Sequence, residues 1–198
     1  MTSHRLTIAA AMAGALMLPL AFTPAHAQTS LGNKSVPGVC MLSRGEVLSQ
    51  SKVGKAADAR LKQLAQQAHN KLEGERKPLQ QSVKSFRQKA DSLSESQRSS
   101  QQKALQTRMQ SFQKEAQQLN ARINATRANA MQRIGKAIDP LVANIYKQHS
   151  CGILLDRDTV LGGNQSNDLT NDVIRALDKK MSTISFNLAP LPKQSGSK

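Results

Sequence analysis

The chain has 198 residues, a net charge of +15 and a pI near 10.4, with no Trp and only 3% aromatic residues. So few aromatics exclude a conventional large core, and the apolar surface must be buried along a helical seam or against other subunits. The charge implies an acidic partner (anionic lipid, lipopolysaccharide, nucleic acid or acidic polypeptide) without choosing among them.

Residues 1–27 read as a secretory signal peptide. His4 and Arg5 are basic, Leu6 to Phe22 is apolar, and Ala25-His26-Ala27 is an A-x-A cleavage site. Pro19, Pro24 and the cleavage site argue against a membrane anchor, and no later apolar run reaches the ~20 residues that a span requires. The mature chain, from Gln28, is expected in the periplasm, which removes nucleic acid as a partner.

Residues 28–35 are small and polar. Val36 to Leu42 is an apolar run too short for a helix and is a strand candidate. From Gly54 to Gln148 the pattern becomes helical. On the second half, Leu105, Met109, Phe112, Ala116, Leu119, Ile123, Thr126 and Ala130 alternate spacings of four and three, the heptad signature of a packed seam. Residues equidistant from Ser99 match: Leu93 with Leu105, Phe86 with Phe112, Leu79 with Leu119, Leu72 with Thr126, Ala68 with Ala130 and Leu64 with Ile134. This symmetry predicts an antiparallel helical hairpin whose tip is the Ser-rich patch at 94–100, with arms of about 40 residues, roughly 60 Å. Phe86 and Phe112 are expected to pack between the arms. Pro78 predicts a kink or break near Arg76–Lys77, and Asp139-Pro140 a helix restart.

Residues 54–148 hold 18 Lys/Arg against 7 Asp/Glu. A face that only solvates a coiled coil balances its signs, and this one does not. The distal cations Arg76, Lys77, Lys84, Arg87, Lys89, Arg98, Lys103, Arg108 and Lys114 are therefore the candidate partner-binding residues.

Cys151 to Leu155 is a second strand candidate, and Gly162-Gly163-Asn164 a turn. Thr170 is placed as N-cap of a last helix over 171–181, with Val173, Ile174 and Leu177 on one face. The expected organisation is α+β and mostly α. Segments 28–53 and 149–185 form a small body, 54–148 a hairpin, and 186–198 a disordered tail.

Asp156-Arg157-Asp158-Thr159-Val160-Leu161 has the form of a dehalogenase-type phosphatase loop, but the 37 residues after Leu161 leave no room for the required sheet. Neither a Ser/His/Asp set nor a Gly-rich phosphate loop is present. No enzyme activity, cofactor or metal is expected.

The order of these parts resembles the Skp/OmpH family of periplasmic chaperones. The matching residues are Ser51-Lys52-Val53-Gly54-Lys55 entering the first arm, Ile153-Leu154-Leu155-Asp156-Arg157 after the second, and Asp168-Leu169-Thr170-Asn171-Asp172-Val173-Ile174 opening the last helix. The resemblance spans about residues 36–181. Pro78, Pro140 and the two cysteines fall outside its pattern. It implies a homotrimer with a small β-barrel body, whose three hairpins enclose a cavity for unfolded outer-membrane proteins. It also implies an ATP-independent holdase. A different class, an envelope scaffold binding lipopolysaccharide or an anionic membrane surface through its basic coiled coil, also fits the charge.

Cys40 and Cys151, each in a candidate body strand, are the only cysteines of a chain read as exported, and an oxidising compartment favours a disulfide. An intrachain bond, an intersubunit bond and two free thiols are the alternatives, with a site of Cys40, Cys151 and His149 the remote metal-binding one.

Overall fold

Residues 52–148 are rich in Ala, Gln, Leu, Lys and Arg, which lose least side-chain freedom in a helix. In the computed structural model, which describes residues 34–191, they form two long antiparallel helices on a small mixed base. The chain runs β1 (Val39–Leu42), α1 (Arg44–Gln50), α2 (Lys52–Lys89), a 3-10 turn at Ala90–Ser92, α3 (Glu95–Gln148), β2 (Ile153–Asp156) and α4 (Thr170–Lys180). The expected signal peptide, and the tail from 192 onward, lie outside the described residues.

The base holds the core. Leu42, Val47, Val53, Ala57, Ile134, Ile138, Val142, Ile145, Leu169, Val173 and Leu177 form one buried cluster drawn from β1, all four helices and the segment before α4. Two buried serines set the entry angles by accepting backbone N–H groups at helix starts. Ser43 caps α1 through Glu46 at 3.1 Å, and Ser51 caps α2 through Gly54 at 3.2 Å. The turn between α1 and α2 is so close that a Cβ on Gly54 would lie 1.5 Å from the Leu48 carbonyl oxygen. Only glycine fits there.

β1 and β2 pair in parallel, Val39 with Ile153 through Leu42 with Asp156. Beside them, Cys40 and Cys151 form an intrachain disulfide with 5.8 Å between their Cα atoms, closing 111 residues of chain. With both sulfurs bonded to each other, the metal alternative has lost two of its three ligands. His149 instead lies 3.0 Å from Asp172 at the start of α4.

Both arms run through their prolines. α2 is continuous across Pro78 and α3 across Pro140, so neither the break nor the restart occurs. The helical carbonyls that lose a donor belong to Gly74 and Lys136, both exposed residues, where water can replace the missing bond.

The register differs from symmetry about Ser99. Lys71 pairs with Glu115, Arg108 donates to Ser82 Oγ at 3.2 Å, and Arg98 donates to the Ala90 carbonyl at 3.0 Å. These contacts centre the hairpin on residues 93–95, so partners lie about ten residues, roughly three helical turns, nearer the tip. A seam whose apolar residues alternate by four and three also matches itself after a shift of ten or eleven, so periodicity leaves the choice open. The turn decides it: Ser94 caps α3 in a capping box, accepting from Gln97 N while Gln97 Oε1 accepts from Ser94 N.

Thr170 is the first residue of α4 rather than its cap. Its hydroxyl oxygen accepts from Ser43 N at 2.9 Å, and its own N–H goes to Asp168 Oδ1. The segment after α4 is not a free tail as far as 191. It climbs the hairpin, where Ala189 is buried and donates its N–H to Thr126 Oγ1 at 2.8 Å.

Three results are expected. Reducing the disulfide should lower stability by about 3–5 kcal/mol, since closing so long a loop mainly restricts the unfolded chain; urea melts with and without reductant measure this. Gly54→Ala should cost at least about 2 kcal/mol from its clash. Gly74→Ala, in an open helical site, should gain about 0.5–1 kcal/mol in the same assay.

Candidate client-binding groove

Two helices cover only one stripe of each other, and toward the tip nothing else among the described residues covers the rest. Leu79 is buried, but Val83, Phe86, Leu105 and Phe112 are half-exposed and Met109 is 46% exposed. Two open grooves result. One, of about 610 Å³, has Leu79, Val83, Met109 and Phe112 as its apolar lining and Arg76, Lys84 and Arg87 as its cations. The other, about 580 Å³, contains Pro78, Phe86 and Leu105 with Lys89 and Arg108. The two phenylalanines thus line different grooves rather than meeting between the arms, because the register shift separates them.

Five of the nine candidate cations line these two grooves. Arg76 is held by Glu73 in a two-pronged contact at 2.6 and 2.7 Å, which keeps the Glu73 carboxyl below its usual range. Its guanidinium is therefore fixed beside Leu79. Lys84, Arg87 and Lys89 form no ion pair among the described residues. Arg98 serves the turn at the tip. Lys77, Lys103 and Lys114 are exposed and line neither groove. Cationic rims around an apolar lining can attract an acidic chain from a distance and hold its apolar side chains on contact.

Below the grooves, Lys71 lies between the arms with Glu115, which also interacts with Glu75. The hydrogen bond to Lys71 pushes the Glu115 carboxyl down, the bond from Glu115 pushes Lys71 up, and Glu75 is pushed up by its hydrogen bond with Glu115. No local pattern signals this trio, because its members meet only in the observed register. The open grooves were also missed, since the heptad pattern assigned Met109 and Phe112 to a closed seam.

In the base, Arg157 joins Asp168 at 2.8 Å and Glu46, tying the turn after β2 to α1. Asp158 accepts from Ser43 Oγ at 3.1 Å, and Asp156 caps its own turn. The phosphatase-like motif is thus structural. β2 is exposed along its length, with Ile153 at 56%, and pairs only with β1 among the described strands.

The family model described as outer membrane protein (OmpH-like) matches residues 38–177. The chain belongs to the OmpH-like family. A crystal structure from Caulobacter crescentus CB15, of a candidate OmpH-like outer membrane chaperone, is 32% identical with a TM-score of 0.76, and the match covers 81% of this chain and 95% of that one. No curated protein matches this chain. The family membership agrees with the α+β, mostly helical fold, and the matched span runs from the base through both arms to α4.

The trio gives a pH-dependent prediction. The lowered Glu115 contributes stability above its unfolded pKa and loses it as pH falls through the folded one. The raised Lys71 contributes below its unfolded pKa and loses it only as pH rises through the folded one. Lys71→Met should therefore lower the urea midpoint at about pH 7, and the difference should shrink progressively as pH falls below the ordinary carboxylate range of about 4.

Proposed function

We propose that this OmpH-like protein is an ATP-independent holdase that binds unfolded outer-membrane polypeptides in the periplasm. The observation that carries this reading is the open groove of Leu79, Val83, Met109 and Phe112 flanked by Arg76, Lys84 and Arg87. Capture begins with Coulomb attraction of an acidic chain and continues by shallow apolar contacts, each weak enough for the client to leave and fold. The apolar residues exposed along β2 support assembly through the base, as a homotrimer whose grooves face a shared client. The N-terminal leader pattern supports periplasmic export, and the family membership supports an outer-membrane client.

The mature protein should suppress light scattering by a denatured outer-membrane barrel diluted from urea, at three subunits per client, and should ignore the folded barrel. Added salt should weaken the effect, because exposed charges are screened beyond about 8 Å at physiological ionic strength. Lys84→Glu with Arg87→Glu should slow association about tenfold at low salt. No suppression at any ratio rejects the holdase reading.

A further inference from the structure

The segment after α4 has the pattern of a β-strand without a sheet. Ile184, Phe186 and Leu188 are half-buried, while Ser185 and Asn187 between them are exposed. Side chains of the arms hold it, mostly by its backbone. Arg133 donates to the Ser185 carbonyl at 3.0 Å, Arg60 to the Phe186 carbonyl at 3.0 Å, and Arg122 to the Ala189 carbonyl at 2.7 Å. Thr126 Oγ1 accepts the Ala189 N–H, and Arg60 also donates to Asn187 Oδ1 at 3.2 Å. From Arg133 to Arg122 is about 16 Å along a helix, and the four steps from Ser185 to Ala189 reach about 14 Å fully extended. The segment is therefore close to straight.

Three features point beyond a packed tail. Backbone contacts read the presence of an extended chain rather than its sequence. Alternation of apolar and polar residues is the pattern of strands that span an outer membrane. Arg60, Arg122 and Arg133 form no ion pair with a carboxylate among the described residues. Each donates to a neutral oxygen, whereas a carboxylate would give a shorter and stronger charge-assisted bond.

We propose that Arg60, Arg122, Thr126 and Arg133 form a second binding site, for an extended acidic segment of an unfolded barrel polypeptide, and that residues 182–191 occupy it in cis until such a segment displaces them. This rests on the holdase reading and adds a site nearer the base than the distal grooves. The strap covers the site when no client is present. It also sets a threshold: if it is docked nine-tenths of the time, the apparent affinity for a client falls about tenfold.

The test uses the full mature chain and two fluorescein-labelled decapeptides, one with the sequence 182–191 and one carrying Ser185→Asp and Asn187→Asp. Hydrogen exchange reports the strap, and fluorescence anisotropy reports peptide binding. The acidic peptide should bind more tightly than the neutral one and speed exchange of the 182–191 amides about tenfold. Ala189→Trp, which is too large for the buried position, should raise peptide affinity about tenfold, and Arg122→Gln should remove the preference for the acidic peptide. Binding with strap exchange unchanged overturns the proposal, as does failure of both peptides to bind a protein that still suppresses barrel aggregation. If suppression itself is absent, the holdase reading fails instead, so the two failures are distinct.

Discussion

Two helices packed as a pair can bury only the stripe that each turns to the other. Everything in this molecule follows from how that deficit is met along its length. At the base, α1, α4 and β1 supply the missing surfaces, and Val53, Ala57, Ile134 and Ile138 are fully enclosed. Midway, the strap after α4 substitutes for a third layer. Toward the tip no third layer exists among the described residues, and the same apolar heptads lie in open grooves. Buried core and open groove therefore come from one repeat, divided by what covers it.

Charge is arranged on the same gradient. Near the base, Arg157 lies between Glu46 and Asp168 and acts as a structural tie. At mid-height, the Lys71–Glu115 ion pair, with Glu75 beside it, connects the arms. Farther out, Lys84, Arg87 and Lys89 have no carboxylate partner among the described residues, so their field is available to an approaching polyanion. Surface ion pairs add little stability in any case, so leaving these cations unpaired costs the fold little.

The sequence carried the hairpin, the two strands, the disulfide pair and the closing helix, because each depends on local pattern or on two unique residues. It could not carry the register. Leu79 can face Leu119 or Met109 equally well by the spacing of the seam, and only the capping box at Ser94 and Gln97 selects the shorter turn. Thr170 was misread because a hydroxyl before an acidic residue has the form of a cap, while its actual partner, Ser43, lies 127 positions away. The tail was misread because Pro and Ser lower any local score, whereas what holds it is the set of arginines on the arms. The cations were legible as a group, but which of them border apolar surface depended on the register.

The Cys40–Cys151 bond makes the hairpin part of a covalent ring. Both arms and the tip lie between the two cysteines, while the strap lies outside them. A protease that nicks the exposed tip would open the ring without dividing the molecule, and each arm would stay joined to the base. Under oxidising conditions the hairpin can be cut once and still remain a single covalent unit.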